Sequence, residues 1–146
     1  NGITVLADRL MDETDFNEFD MLVLPGGMPG AKNLKEDERV IQLVRKFMKE
    51  RKYIAAICAA PIVLKEAGVT EGRRVTSYPA DQYRNLFTDS EYVEDELVVQ
   101  DGNLITSRGP ATVFPFAYHL AKVLGGNVET VKERMLYNRL VESWKN

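Results

Sequence analysis

The chain has 146 residues, 45% of them hydrophobic and 28% charged, with a formal net charge of −3 and a pI near 5.3. That is enough for one domain with its own core. The acidic balance, without a basic stripe, argues against nucleic acid as the main partner, and no apolar run approaches the roughly 20 residues of a bilayer span. One cysteine excludes an internal disulfide and, with one histidine, a Cys/His zinc site. No metal or cofactor is expected, and the expected compartment is the reducing cytoplasm.

In chain order, the run at 3–6 (Ile-Thr-Val-Leu) predicts a short strand. The run at 20–24 predicts a second, cut off by Pro25-Gly26-Gly27. Asn33, with Glu36 three residues on, reads as a helix N-cap. Val40, Ile41, Val44, Phe47 and Met48 recur at helical spacing, and Lys49, Arg51 and Lys52 suit the C-terminal end of that helix.

The stretch Tyr53-Ile-Ala-Ala-Ile-Cys-Ala-Ala-Pro61 holds the chain's single cysteine, Cys58. The apolar run 53–57 reads as a buried strand, and Pro61 falls where a first helical turn tolerates proline. Strand, sharp turn and helix follow one another, with Cys58 on the turn, which is the arrangement of a nucleophile elbow with sulfur in place of oxygen. A thiol there faces unpaired backbone N–H groups and the positive end of the helix dipole, which favour the reactive anion. Free cysteine is also common core filler, and composition alone does not separate the two roles.

The helix at 62–67 is capped by Gly68. Residues 74–78 read as a strand and 80–86 as a short helix. Residues 92–93 and 97–99 form a hairpin arm, and Asp101-Gly102 turns the chain into a strand at 104–106. Arg108-Gly-Pro110 opens a helix whose Val113, Phe116, Ala117, Leu120 and Leu124 share a face, ended by Gly125-Gly126. A last helix is expected over 128–144. Leu22, Leu24, Val44, Ile54, Ile57 and Leu120 are the expected core. His119 sits on the flank of an apolar helix face, where a packing role is the expectation.

Strands separated by helices imply one α/β domain over 1–146, with a doubly wound, mostly parallel sheet. Sites in such sheets lie outside the carboxyl ends of the strands. Pro25-Gly26-Gly27, Cys58, Tyr78 and Arg108 all follow a strand end, so the topology gathers four segments around one sulfur.

Leu24-Pro-Gly-Gly27, Ala55-Ala-Ile-Cys-Ala-Ala-Pro61 and Thr106-Ser-Arg-Gly-Pro110 stand in the order and spacing of the ThiJ/PfpI superfamily. The chain resembles its DJ/YajL-like branch over nearly its whole length. The resemblance implies a flavodoxin-like fold of the class I glutamine amidotransferase type. It implies Cys58 as the elbow nucleophile, with the N–H groups of Gly27 and Ala59 as donors to an oxyanion or to sulfinate oxygens. It sets Tyr78 and Arg108 at the pocket. For Gly26 and Gly27 a plain turn is the alternative, and for Arg108 a structural ion pair or helix-start contact.

Two departures from the family pattern stand out. Tyr78 occupies the place of a histidine found in many members, and a phenol of ordinary pKa near 10 is a poor general base at neutral pH. The family's front strand–helix–strand segment, which carries a glutamate that bonds the cysteine, has no counterpart ahead of Ile3. A further segment or chain is therefore expected to complete the fold, and a homodimer is expected as well. The implied function is stress protection through attack of Cys58 on small 2-oxoaldehydes or glycated groups, as a glyoxalase or deglycase. The alternative is a non-catalytic sensor or chaperone whose Cys58 is oxidised by a small oxidant. An intracellular cysteine peptidase lacks a visible base.

Overall fold

The run at 53–57 decides the layering, because alternate residues of a strand face opposite sides of a sheet. In the computed structural model, which describes residues 2–145, the elements follow as β1 (Met21–Leu24), α1 (Gly30–Glu36), α2 (Glu38–Lys49), β2 (Tyr53–Ile57), α3 (Pro61–Glu66), β3 (Arg74–Val75) and α4 (Asp81–Arg84). They continue through β4 (Glu91–Tyr92), β5 (Val98–Asp101), β6 (Leu104–Ser107), α5 (Val113–Val123), α6 (Val128–Arg134) and α7 (Tyr137–Ser143). A four-stranded sheet has the order β1-β2-β6-β5, and β3 pairs with β4 in a separate ladder. β1, β2 and β6 run parallel, and β5 lies antiparallel on β6.

Ile54 and Ala56 point into the larger core with Leu24, Leu104, Val44, Phe47, Val63 and Leu64. Ala55 points the other way, into a small cluster with Ile105, Phe116 and Leu120. One face of the sheet is thus sealed by α1, α2 and α3, while the other is covered mainly by α5. Fully buried alanines at 55 and 56 let helices approach the central strand closely on both sides. Among the described residues nothing pairs with the outer edge of β1, whose Val23 is half exposed.

Several expectations shift. Residues 3–6 form no strand, and Ile3, Val5 and Leu6 are exposed; a β-branched run becomes a strand only beside an edge that accepts it. Asn33 lies inside α1, because Ala31 N already bonds Gly27 O at 2.8 Å. The capping residue is Asp37, whose extended backbone separates α1 from α2 and whose carboxylate accepts from Arg39 N at 3.0 Å. The Arg39 guanidinium bonded to it holds the Asp37 carboxyl below its ordinary range.

The strand expected at 74–78 stops at Val75, since Thr76 N turns to the Thr106 hydroxyl at 2.9 Å. Residues 92–93 and 97–99 are not two sides of one hairpin. Tyr92 pairs with Val75, whereas Val98–Asp101 folds back on β6 through Gly102. On α5 only the stripe of Phe116, Leu120 and Val123 meets the sheet, so Val113, Ala117 and Leu124 stay exposed. The last helix is two, broken at Leu136, which takes a left-handed backbone (φ +57°). Of the expected core, Leu24, Val44, Ile54 and Leu120 are buried, and Leu22 and Ile57 are partly so.

Phe47 is fully buried at the centre of the larger core. Phe47→Ala is expected to cost about 3–5 kcal/mol of unfolding free energy, read from the urea midpoint; a loss well below that would place the core elsewhere.

Candidate active site

The register brings Leu24 opposite Ala56 and Ile57 opposite Ser107, so β1, β2 and β6 end level with one another. Cys58 is the first residue past β2, half-buried, with a left-handed backbone (φ +64°). That conformation costs a non-glycine residue roughly 1–2 kcal/mol, and here two hydrogen bonds hold it. Cys58 N donates to Ser107 O at 2.9 Å, and Cys58 O accepts from Tyr78 N at 2.8 Å. The elbow is therefore tied to the end of β6 on one side and to the turn after β3 on the other.

The third contact comes from β1. A Cβ added to Gly26 would lie 2.7 Å from Cys58 Cβ and 2.7 Å from Ile57 O, closer than side chains approach. Gly26 is required by this proximity, whereas Gly27 is required by its backbone (φ +89°). Among the described residues, neither Gly27 N–H nor Ala59 N–H donates to an acceptor. Both are the donors the sequence pointed to for an oxyanion. Ala59 and Ala60 are buried, and α3 begins at Pro61 with no side-chain cap.

Tyr78 joins the site through its backbone. The residue is 42% exposed, and its ring stands edge-on to that of Tyr83, with centroids 6.0 Å apart. Arg108 follows the Ser107 carbonyl that holds the elbow, but its guanidinium donates to the Glu94 carbonyl. It lines a cavity of about 140 Å³ with Pro79, Arg84, Tyr92 and Glu94. The structure thus brings Cys58, Ala59 and Gly26-Gly27 together, while the side chain of Arg108 turns to the acidic loop. Among the described residues no carboxylate, imidazole or phenol hydrogen-bonds Cys58, and no three His, Cys, Asp or Glu side chains could share a metal ion.

Sequence reasoning missed Ser107 as the anchor of the elbow, and its one signal was a place just before Arg108. It also missed the pair of Ser77 Oγ with Tyr92 OH at 2.9 Å, which braces the residue before Tyr78. His119 is half-buried on α5, and its Nε2 lies 2.6 Å from Gln100 Oε1. Burial first, and the Lys122 ammonium second, push its pKa below the ordinary value. The neutral ring donates Nε2–H to the Gln100 carbonyl oxygen, a packing role.

The sequence profile of the DJ-1/PfpI family matches residues 1–123. Over 131 residues the chain is 43% identical to the protein dj-1beta of Drosophila melanogaster, covering 90% of this chain and 69% of that one. Over 124 residues it is 37% identical to a deglycase of Pyrococcus horikoshii, covering 85% of this chain and 74% of the relative. The crystal structure of Drosophila melanogaster DJ-1beta superposes with a TM-score of 0.77 at 44% identity. That match covers 82% of this chain and 65% of the Drosophila chain, so this chain spans about two thirds of its length.

Gly26→Ala is expected to distort the elbow and cost about 1–3 kcal/mol, seen as a lowered urea midpoint together with a changed alkylation rate of Cys58. An unchanged midpoint and rate would show that strands β1 and β2 part easily. For His119 the folded value lies below 6.5, so the unfolded chain takes up the proton first as pH falls. The stability held by the neutral ring is complete above that unfolded value and is lost as pH falls below it. The loss of urea midpoint from about pH 7 to about pH 5.5 should therefore shrink in His119→Gln; an equal loss in both proteins would dismiss the role of burial.

Proposed function

The chain belongs to the DJ-1/PfpI family, and from that premise we propose a stress-protective protein whose Cys58 attacks small 2-oxoaldehydes or glycated groups. The chemistry is of the glyoxalase or deglycase type, placed in the cytoplasm. The observation that supports it most is the elbow: a half-buried thiol with a left-handed backbone, beside two N–H groups that serve no other described acceptor.

The thiolate adds to the aldehyde carbon, a C–S bond forms, and the carbonyl π pair moves onto oxygen. The N–H groups of Gly27 and Ala59 receive that oxyanion. A proton then leaves the former aldehyde carbon and another returns to the adjacent one, giving a thioester of a 2-hydroxy acid. Water releases the acid and regenerates the thiol, with no net oxidation. The transfer needs a proton carrier. We assign it to a carboxylate on a further segment docked along the unpaired edge of β1, a proposal supported by that open edge and by the greater length of the relatives.

Cys58→Ser is expected to abolish methylglyoxal loss and lactate formation by the protein completed with that segment, at an unchanged far-UV spectrum. Retention of turnover by the serine variant would overturn Cys58 as nucleophile. Full turnover by residues 1–146 alone would overturn only the external carboxylate.

A further inference from the structure

A groove of about 280 Å³ has Met28, Ile62, Tyr83 and Leu86 as its apolar lining. Its apolar lining comes from segments that lie close in the chain to Cys58 or to residues in contact with it. Met28 lies two residues past Gly26, the glycine pressed against Cys58 Cβ. Ile62, in the first turn of α3, lies four residues past Cys58 in the chain. Tyr83 packs against the ring of Tyr78, whose N–H bonds the Cys58 carbonyl. Met28 and Leu86 are exposed, and large apolar side chains left in water around one concavity mark a binding surface.

The rim determines what kind of ligand fits. Lys35 pairs with Glu66 at 3.6 Å, and Lys65 pairs with Asp89 at 2.6 Å. Every charged residue lining the groove therefore already has a partner, and a charged ligand would compete with those pairs. An uncharged apolar group meets no such competition and buries the exposed floor. We propose that this groove is the subsite for the apolar substituent of the electrophile, an uncharged aryl or branched alkyl group attached beside the carbon that Cys58 attacks. The inference rests on Cys58 as the nucleophile and adds selectivity to it.

The test compares two reagents with one reactive carbon, iodoacetamide and N-phenyl iodoacetamide. Each alkylates a thiolate by forming a C–S bond and releasing iodide, and the single cysteine makes the mass change unambiguous. The phenyl-to-plain rate ratio on the protein should exceed the same ratio on glutathione by about tenfold, with saturation in the phenyl reagent. Met28→Ser and Leu86→Ser, both at exposed positions that tolerate change, should each bring the ratio back toward that of glutathione. A ratio on the protein equal to that of glutathione, or one unmoved by both substitutions, would overturn the groove. The iodoacetamide rate by itself judges the thiol, so an unreactive Cys58 and an unselective groove are told apart.

Discussion

Everything at this site depends on holding Cys58 in a backbone conformation that it would not adopt alone. A residue with a Cβ reaches the left-handed region only at a cost, and the surrounding chain supplies the compensation. The Ser107 carbonyl accepts its N–H and the Tyr78 N–H meets its carbonyl, both within 2.9 Å. These two bonds join β6, the elbow and the turn after β3 into one unit. Level strand ends make this possible, and the parallel register of β1, β2 and β6 makes the ends level. The lack of a Cβ at Gly26 then lets the end of β1 close against the sulfur-bearing residue.

The two faces of the sheet are unequal, and this bears on the further segment proposed above. α1, α2 and α3 bury one face in a continuous core that includes Ile54 and Ala56. The other face has α5 and a small cluster around Ala55, Ile105, Phe116 and Leu120. Val113, Phe114, Val131, Met135, Leu140 and Trp144 remain exposed along α5, α6 and α7. Val23 on β1 is exposed as well, on a strand whose outer edge is unpaired among the described residues. The unpaired edge and the uncovered apolar side chains are both surfaces that the further segment proposed as the source of the carboxylate would cover.

What the sequence made legible follows the reach of the interactions involved. The elbow was legible because an apolar run, small residues and a proline stand within nine positions, and each acts locally. The Asp101-Gly102 hairpin and the Gly68 cap were legible for the same reason, since each rests on one positive φ. Several of the failures turn on partners distant in the chain. The run at 3–6 has strand composition but no described neighbour, Thr76 leaves its strand for the hydroxyl of Thr106, and Tyr92 pairs with Val75 rather than with the residues that follow it. Arg108 shows both sides: its backbone position was read correctly, while its side chain answers to Glu94, which no local pattern announces.

The division of labour at the elbow limits where selectivity can arise. In the proposed reaction the donors offered to the oxyanion are the backbone N–H groups of Gly27 and Ala59, and backbone donors are blind to what is attached to the carbon under attack. The thiol is equally indifferent. In that reaction, discrimination among electrophiles comes from side chains around the elbow rather than from the elbow itself. Of the candidates in the described residues, Arg108 is committed to the Glu94 carbonyl and faces its own cavity. Tyr78 contributes its N–H and lends its ring to Tyr83. Met28, Ile62, Tyr83 and Leu86 remain, lining one groove close in the chain to the elbow and to the residues, Gly26 and Tyr78, that contact Cys58. Under the proposed reading those side chains set the substrate without touching the elbow, because neither proposed oxyanion donor and no strand pairing involves them.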